Sequence, residues 1–343
     1  MPFKRPDEVF ILAIESSCDD TAAAVLRNDK VLSNVVARQN IHEEFGGVVP
    51  ELASRAHQQN IVPVIDVALR KANIAKSQLS AIAFTQGPGL MGSLLVGSSF
   101  AKSLAMALQI PLIAVNHMHA HILAHFIDEE GFDKPTFPFL ALTISGGHTQ
   151  IVIVNSFFDM EIIGQTTDDA VGEAFDKTAK ILGFPYPGGP LIDQFAKVGN
   201  PKKYSFTKPK APNLDFSFSG LKTQILYFIQ KNVIENINFI EQNKHDICAS
   251  VQYTIIEILM DKLKLAVTQT GITQIAIGGG VSANSGIRFT LKEAEKKYGW
   301  KTYVPKFEYT TDNAAMIGIV GYQKFLYDKF ANAAVVSKAR IEF

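Results

Sequence analysis

Apolar and polar positions follow an order along the chain that occurs twice. From Phe10 the stretch FILAIESSCDDTAAAVLRNDKVLSNVVAR reads as strand, small polar turn, strand, polar turn and strand. From Phe139 the stretch FLALTISGGHTQIVIVNSFFDMEIIGQT repeats that order, with SGGH in the place of SSCDD. Each stretch predicts a three-strand meander followed by alternating helix-like and strand-like segments. The chain therefore predicts two α/β halves with mixed sheets, residues 1–135 and 136–343.

The segments after each meander are predicted from their periodicity and from helix start and stop signals. After the first meander come a helix over 54–72, the strand LSAIAFTQ, a helix over 93–108 and the strand IPLIAV. After the second come a helix capped by Thr167 or Asp168, helices near 221–240 and 246–269, the strand ITQIAIGG, a helix opened by GVSANSGIR, the strand KTYVPK and a last helix starting at TDNAAMIGIV.

Composition narrows the functional classes. The 343 residues suit two domains at roughly 100 to 200 residues each. Because 33 basic residues balance 33 acidic ones, no global field directs the protein to nucleic acid or a membrane. Cys18 and Cys248 lack metal or redox spacing, which favours a reducing compartment and predicts a cytoplasmic location. The N-terminal stretch has no targeting pattern, and the polar turn SGGHTQ interrupts the uncharged run 136–158, which predicts two strands rather than a membrane span.

Four of the eight histidines lie in the segment VNHMHAHILAHF, just past the strand IPLIAV, where open α/β sheets bind ligands. If this segment is helical, His117, His121 and His125 share one face and His119 points elsewhere. Two imidazoles one turn apart can hold a metal ion, and a polar helix face with scattered histidines is the alternative. A zinc peptidase needs a glutamate beside the first histidine as general base. Met118 occupies that position, which argues against a metallopeptidase.

A histidine pair needs at least one further ligand, and carboxylate is a common third type. The stretch YTTDNAAMIG offers Asp312. Thr310, Thr311 and Asp312 are all good N-caps for the helix that follows, so helix capping is the competing interpretation.

Glycine-rich turns follow several strands. GPGLMG matches a dinucleotide pattern, but the next strand ends in Asn116 and His117 rather than an acid, so it predicts a tight turn with close helix packing. SGGH predicts a hairpin turn, whose N–H groups also suit a phosphate or carboxylate. GGGVSANSG lies between a strand and a helix, where N–H groups favour a nucleotide and Asn284 can hydrogen-bond a base or ribose.

Two acidic side chains lie near a further glycine turn. Asp176 has a surface ion-pair partner in Lys180 at i+4. In PYPGGPLID, Gly188 and Gly189 permit close approach of a sugar to the backbone, and Asp193 follows in the same loop.

The segment from Gln194 to Leu214 carries five lysines and no acidic residue, with Tyr204 and Phe206 interleaved. Such a loop can lie on a phosphate backbone, or it can be a solvated insertion.

Nine motifs together resemble one family. In chain order they are ESSCDDTA, GPGLMGSLLVG, NHMHAH, SGGHTQ, GEAFDKTAKILG, YPGGPLID, FSFSGLKT, GGGVSAN and TTDNAAMI. They are similar in sequence and order to the universal tRNA N6-adenosine threonylcarbamoyltransferases over residues 9 to 325. The absence of a fused kinase domain makes the chain similar to the bacterial type.

The resemblance implies the actin-like, Hsp70-like and sugar-kinase-like (ASKHA) ATPase fold, with two domains and duplicated mixed sheets. It also implies transfer of an L-threonylcarbamoyl group from threonylcarbamoyl-AMP to N6 of adenosine 37, in tRNAs reading codons that begin with A. The implied partners are tRNA, a paralogous subunit of the same fold and a small P-loop ATPase, with the adenylate supplied by a separate synthase and no membrane involved.

The resemblance further implies one divalent metal per subunit, with Fe²⁺ favoured and Zn²⁺ possible. His117 and His121 would bind this metal from the first half and Asp312 from the second. His119 departs from the glutamate common in the motif, and Ala120 from the glycine. The positions implied to bind the adenylate are Thr143, Ile144, Ser145, Gly146, Gly147, Asp176, Gly189, Asp193 and Asn284.

No residue is assigned as the general base, and His148 is a candidate. Three alternatives to the transferase stay open. They are an ATP-binding regulator of the actin-like class, in which the histidines are structural, the metallopeptidase disfavoured by Met118, and a small-molecule O-carbamoyltransferase indifferent to tRNA.

Overall fold

The structure, a computed structural model, describes residues 8–341 and Phe343. The strands are β1 (Phe10–Glu15), β2 (Thr21–Arg27), β3 (Lys30–Ala37), β4 (Ala81–Gly87), β5 (Leu112–Asn116), β6 (Phe139–Ile144), β7 (Thr149–Ser156), β8 (Asp159–Gln165), β9 (Gln274–Gly278) and β10 (Lys301–Tyr303). The helices are α1 (Pro50–Ala72), α2 (Met91–Leu108), α3 (His117–Leu123), α4 (Val171–Ile181), α5 (Gly189–Ala196), α6 (Ser219–Glu235), α7 (Phe239–Thr270), α8 (Ser285–Tyr298) and α9 (Ala314–Leu326).

The chain divides into two units. The first unit combines Met1–Lys134 with Lys306–Phe343, and the second is Pro135–Pro305. Their sheets have the same topology, β3-β2-β1-β4-β5 in the first and β8-β7-β6-β9-β10 in the second. In both, a meander of antiparallel strands is extended by parallel strands on the side of its first strand. The two predicted meanders and the mixed sheets are confirmed.

The first sheet is covered on both faces. On one face Leu12 and Ile14 of β1 belong to a buried cluster with Ile61 and Ile65 of α1. On the other face α9 lies so close that its glycine Gly321 contacts β1 and β4. Neighbouring side chains point to opposite sides of a strand, so cover on both faces of the sheet buries every residue of β1 after the first. This explains why its sequence is a continuous apolar run.

The position of residues 306–343 is a correction to the predicted division. These residues were expected in the second half, but they belong to the first unit. The reason is α9, whose residues from Ala314 to Gly321 are all buried. A helix that is apolar on all sides must be covered all round, and the face of the first sheet provides part of that cover.

The start of α4 also differs from the prediction. The helix begins after Ala170, beyond the predicted caps Thr167 and Asp168. Asp168 instead accepts hydrogen bonds from the backbone N–H groups of Phe218 and Ser219, at 2.7 and 3.2 Å, at the start of α6. Desolvation raises the pKa of Asp168, but these hydrogen bonds, with those of neighbouring serine hydroxyls, outweigh it and hold the pKa below its usual value.

Within the described part of the chain, α2 is the helix whose length and composition would allow it to span a membrane, with a mean hydropathy of 1.3. A single helix of this kind is weak evidence for a membrane span. Its glycines bring it into close contact with the rest of the first unit. A Cβ atom at Gly92 would lie 2.8 Å from Ser54 of α1, and one at Gly97 would lie 2.2 Å from Ser16.

The contact between α9 and the first sheet predicts the effect of Gly321→Ala. The added Cβ would lie 2.6 Å from Cβ of Ala83 and 3.3 Å from the Ile11 side chain. Alanine is normally favoured over glycine within a helix by about 1 kcal/mol. We nevertheless expect a net loss of about 1 to 3 kcal/mol in the free energy of unfolding, because overpacking displaces a buried strand.

This free energy is measured by urea denaturation. The control is Gln323→Ala on the same helix, which should change it by no more than about 0.5 kcal/mol. A Gly321→Ala protein as stable as the wild type would contradict the close packing of α9.

Candidate metal centre and substrate site

Helix α3 begins where strand β5 ends, so its first turn lies at the carboxyl edge of the first sheet. Asn116 is the N-cap, and its Oδ1 accepts hydrogen bonds from the N–H groups of Met118 at 2.8 Å and His119 at 3.4 Å. A side-chain cap of this kind fixes where a helix starts. His117 is therefore held at the first helical position and His121 one turn later, with their ring centroids 4.7 Å apart.

Asp312 completes a cluster with these two histidines. Its Oδ1 lies 3.4 Å from Nε2 of His117 and 3.2 Å from Nε2 of His121, and the two Nε2 atoms lie 3.2 Å apart. The helix cap that competed for Asp312 is provided by Asn313, whose Oδ1 accepts from the N–H of Met316 at 3.0 Å. The capping interpretation of Asp312 is therefore wrong. All three side chains belong to the first unit, so the expected contribution from the second half is wrong as well.

The donor atoms of the cluster fit one metal ion. Two imidazole nitrogens and one carboxylate oxygen are a ligand set typical of iron and zinc sites. Metal–ligand bonds of about 2.1 Å in a tetrahedral arrangement place ligand atoms about 3.4 Å apart. The observed separations of 3.2 to 3.4 Å match this spacing. Within the described residues, this is the group that combines such donors at short range.

The remaining histidines of the segment lie outside the cluster. Helix α3 ends at Leu123, and His125 lies in the following 3-10 turn, where it is buried. It is not among the side chains whose ligand atoms cluster with those of His117 and His121. His119 points away from the cluster, and its ring packs against Phe343 with centroids 4.7 Å apart.

The segment that carries Asp312 is tied to the loop after α3. The hydroxyl of Tyr309 donates to Glu129 Oε1 at 2.5 Å, and Lys306 Nζ donates to Glu129 Oε2 at 3.1 Å. Tyr309 is buried, three residues before Asp312. This anchor restricts the position of the carboxylate relative to the two histidines.

Glu15 is part of the site and was not identified from the sequence. It is the last residue of β1, is fully buried, and its Oε2 lies 3.0 Å from Nδ1 of His117. It also accepts hydrogen bonds from Thr85 Oγ1 at 2.6 Å and from the N–H of Ser17 at 2.5 Å. A carboxylate at the end of an otherwise apolar strand was the available signal.

The charged side chains of the cluster shift each other's pKa values. Desolvation lowers the pKa of His117, but the carboxylates of Asp312 and Glu15 outweigh it and raise that pKa well above its usual value. Burial raises the pKa of both carboxyl groups, and His117 reverses this, so that both pKa values lie below the usual range. The imidazole therefore favours the charged form of the two carboxyl groups, and they favour the charged form of the imidazole.

Asp20, in the turn after β1, is affected in the opposite direction. Desolvation raises the pKa of Asp20 to about 7, and the charges of Asp19 and Asp312 add to this while Arg38 opposes it. The turn SSCDD therefore contains a carboxyl group that titrates near neutral pH.

In the second unit, Asp176 contacts the PYPGGPLID loop. Its Oδ1 accepts hydrogen bonds from the N–H groups of Gly188 and Gly189, both at 2.9 Å. The expected surface pairing with Lys180 is thus replaced by a contact that holds the glycine turn. Desolvation raises the pKa of Asp176, although these two hydrogen bonds lower it in part.

Asp193 and Asn284 meet at the start of α8. Asp193 accepts from the N–H of Ser285 at 3.1 Å and from its hydroxyl at 2.8 Å. Asn284 accepts from the N–H of Ile287 at 3.0 Å and donates to Gln252 Oε1 of α7 at 2.8 Å. These predicted substrate-binding residues therefore connect helices α5, α7 and α8.

The SGGH segment forms the predicted hairpin turn between β6 and β7. Ser145 N–H donates to the His148 carbonyl at 2.9 Å, and His148 N–H donates to the Ser145 hydroxyl at 3.1 Å. Gly146 and Gly147 are exposed, and no atom of the described residues lies within 4 Å of a Cβ added at either position. Just before the turn, the buried Thr143 hydroxyl has no hydrogen-bond partner in the part of the chain that the structure describes.

The other glycine motif, GPGLMG, follows the structural interpretation. A Cβ atom at Gly89 would lie 2.4 Å from the Ser17 carbonyl oxygen, and Leu90 N–H donates to that oxygen at 2.7 Å. The motif is a tight turn packed on the loop after β1.

Two of the five lysines in the segment 194–214 have acidic partners on α7. Lys203 Nζ lies 2.7 Å from Asp246 Oδ2, and Lys208 forms a hydrogen-bonded ion pair with Asp261. These pairings partly neutralise the loop. They favour the solvated-insertion interpretation over a continuous phosphate-binding surface.

Comparison of the sequence with known proteins finds one family. The family described as tRNA N6-adenosine threonylcarbamoyltransferase matches residues 30–319. A protein of that name from Christiangramia forsetii is 70% identical over 336 residues, which cover 98% of this chain and 99% of the relative. One from Riemerella anatipestifer is 60% identical over 332 residues, with 97% of each chain covered.

Solved structures agree on the fold. Full-length HypF, in its phosphate- and nucleotide-bound form, has a TM-score of 0.62 at 13% identity and covers 94% of this chain and 47% of its own. Component A of the (R)-2-hydroxyglutaryl-CoA dehydratase of Acidaminococcus fermentans has a TM-score of 0.52 at 15% identity, with 92% and 98% covered. These similarities confirm the two-domain ASKHA fold.

The raised pKa of Asp20 predicts a pH-dependent effect of Asp20→Asn on the protein treated with a chelator. The native state retains a proton on Asp20 up to about pH 7, whereas the unfolded chain loses it near pH 4. Stability of the wild type therefore falls as pH rises from about 4 to about 7. Because asparagine removes this loss, we expect Asp20→Asn to be more stable than the wild type by about 1 to 3 kcal/mol at pH 8, with a smaller gain at pH 5.

Urea denaturation at both pH values measures this difference. The control is Asp66→Asn on α1, whose exposed carboxylate pairs with Arg70 at 2.8 Å. Its stability difference from the wild type, measured at the same two pH values, is the reference for the loss of an exposed carboxylate. An Asp20→Asn protein with the same stability difference at pH 5 and pH 8 would exclude the raised pKa.

Proposed function

Because this chain belongs to the tRNA N6-adenosine threonylcarbamoyltransferase family, we propose that it transfers an L-threonylcarbamoyl group to the N6 amine of an adenosine in tRNA. The observation that carries this proposal is the 70% identity over almost the whole of both chains. We further propose threonylcarbamoyl-AMP as donor and adenosine 37, in tRNAs reading codons that begin with A, as acceptor.

In this proposal one divalent cation is held by His117, His121 and Asp312. Fe²⁺ is favoured and Zn²⁺ is the alternative, since a two-histidine, one-carboxylate set with open positions suits both. The bound ion would supply Lewis acidity towards an oxygen of the threonylcarbamoyl group. Met118, beside His117, lacks the carboxylate that a zinc peptidase uses as general base, which supports a transferase rather than a peptidase.

The residues of the second unit bind and orient the adenylate in this proposal. The exposed turn at Gly146 and Gly147 has the space to bring backbone N–H groups to the phosphate. Asp176 holds the glycine turn that ends at Gly189, where a ribose can approach the backbone closely. The full set of proposed adenylate-binding residues is Thr143, Ile144, Ser145, Gly146, Gly147, Asp176, Gly189, Asp193 and Asn284.

The main contribution of these residues to the reaction is to orient the two substrates. The N6 nitrogen forms a bond to the carbamoyl carbon, the carbon–oxygen bond to the phosphate breaks, and AMP leaves with that electron pair. An exocyclic amine is a weak nucleophile, so fixing both substrates is worth several kcal/mol, about 7 to 11 in ideal cases. The amine proton must pass to a base, and we propose His148, at the same turn as Gly147, as the candidate.

The proposal includes partner proteins. A paralogous subunit of the same fold, a small P-loop ATPase and a separate synthase that makes the adenylate are expected to work with this chain. An assay of the isolated chain therefore does not test the reaction, and the partners have to be supplied.

The experiment that tests the function is transfer of labelled threonine into unmodified tRNA, with threonylcarbamoyl-AMP and the partners present. We expect wild-type activity, and a loss of at least about 100-fold for His117→Ala, His121→Ala and Asp312→Ala, because each removes one of the donors that hold the metal. The matched control is His119→Ala on the same helix, which should retain activity within about threefold because His119 lies outside the cluster.

Each outcome of the transfer assay has a distinct meaning. If the wild type adds no label to tRNA while a homologous enzyme does so in the same mixture, the transferase function is excluded. Nucleotide binding that survives in His117→Ala would then support an ATP-binding regulator. Transfer to a small alcohol in the absence of tRNA would support an O-carbamoyltransferase.

The proposed phosphate turn makes a second prediction, for Gly147→Ala. The added methyl group meets no atom within 4 Å in residues 8–341 or Phe343, so the fold and the melting temperature should be unchanged. In the adenylate complex the methyl would lie where the phosphate approaches, and we expect the KM for threonylcarbamoyl-AMP to rise roughly tenfold or more. Steady-state kinetics with the adenylate varied measure this change. An unchanged KM would remove the turn from the phosphate site.

A further inference from the structure

The two histidines of the metal centre differ at the ring nitrogen that faces away from the cluster. Nδ1 of His117 lies 3.0 Å from Glu15 Oε2 and 3.2 Å from the Ser17 hydroxyl. Nδ1 of His121 is buried and has no hydrogen-bond partner among the residues that the structure describes. One ring is therefore held at both nitrogens, whereas the other is held at its cluster side alone.

The carboxylate that holds His117 is itself fixed on every side. Glu15 is fully buried at the end of β1, where solvent cannot compete for its oxygens. The Thr85 hydroxyl of β4 donates to Oε2 at 2.6 Å, and the Ser17 N–H donates to Oε1 at 2.5 Å. These contacts prevent rotation of the carboxylate, so the direction of its hydrogen bond to His117 is set by the first sheet.

We propose that Glu15 is a positioning residue that holds His117 as the tautomer protonated at Nδ1 and directs its Nε2 lone pair to the metal. The inference rests on the proposed metal site and goes beyond its ligand set. An ionised carboxylate can accept a hydrogen bond but cannot donate one. In a neutral His117 that contacts Glu15, the proton must therefore lie on Nδ1, and Nε2 is left free to coordinate. His121, whose Nδ1 has no such partner among the described residues, lacks a hydrogen bond of this kind behind its ring.

The arrangement has a consequence for the loop after β1. The carboxylate that orients His117 also receives the N–H of Ser17, and the Ser17 hydroxyl lies close to the same His117 nitrogen. The turn SSCDD and the first metal ligand are therefore joined through Glu15. A shift of that turn would reorient His117.

The test is Glu15→Gln, which keeps the shape of the side chain and removes its charge. The affinity for Zn²⁺, measured by competition with a chromophoric chelator, should fall about 10- to 100-fold, as is usual when a carboxylate behind a histidine ligand is lost. The visible absorption of the Co²⁺-loaded protein should change, since ring orientation alters the ligand field. Neither measurement involves tRNA, so both are independent of the transferase function.

The matched control is Thr85→Ser, which alters the packing beside Glu15 but keeps the hydroxyl that donates to its carboxylate and the contact of that carboxylate with His117. It should retain Zn²⁺ affinity within about threefold if orientation of His117 is what matters. Equal loss of affinity in both variants would show that general packing around Glu15, rather than its hydrogen bond to His117, is responsible and would overturn the proposal.

A measurement on the wild type keeps the proposal testable even if Glu15→Gln does not fold. Nitrogen NMR of histidine-labelled, Zn²⁺-loaded protein, assigned with His117→Ala, reports which nitrogen carries the proton. A protonated Nδ1 and a metal-bound Nε2 at His117 are expected. Coordination through Nδ1, or Glu15→Gln protein that binds Zn²⁺ within about threefold of wild type, would overturn the role of Glu15.

Discussion

The arrangement of the first unit depends on one electrostatic constraint: two carboxylates, Glu15 and Asp312, lie on either side of the His117 ring. Glu15 is fully buried and Asp312 is largely covered, with 28% of its side chain exposed. Two negative charges in such a place are unfavourable unless a positive charge lies between them. The imidazole of His117 lies between the two carboxylates, which favour its charged form. The end of β1, the start of α3 and the segment before α9 must therefore meet at one point.

Much of the fold could be predicted because it follows from the local periodicity of apolar residues. Both meanders and the strand order that follows them arise from apolar runs whose spacing is visible in the chain. What could not be predicted depends on distant contacts. Asp168 was expected to cap the nearest helix, but it caps α6, 50 residues away. Residues 306–343 were expected beside their sequence neighbours, yet the apolar surface of α9 is covered by the first sheet.

The site shows the same division between local and distant information. The spacing of His117 and His121 on one helix predicts a metal pair, and the structure brings Asp312 to them. The helix-cap alternative for Asp312 could not be decided from sequence, since the neighbouring Asn313 caps equally well. Glu15 was missed because a single acid at the end of a strand has no pattern around it. Its role depends on a hydrogen bond across 102 positions of the chain.

The discontinuous first unit has a consequence for the order of synthesis. Residues 135–305 form one uninterrupted unit, while the first unit receives α9 and Asp312 only from its second segment, after Pro305. During translation the second unit is complete before the first can close, because domains fold as their residues emerge. Until residue 312 has left the ribosome, His117 and His121 lack their carboxylate partner. The three side chains of the cluster can therefore come together only after both segments of the first unit have been synthesised.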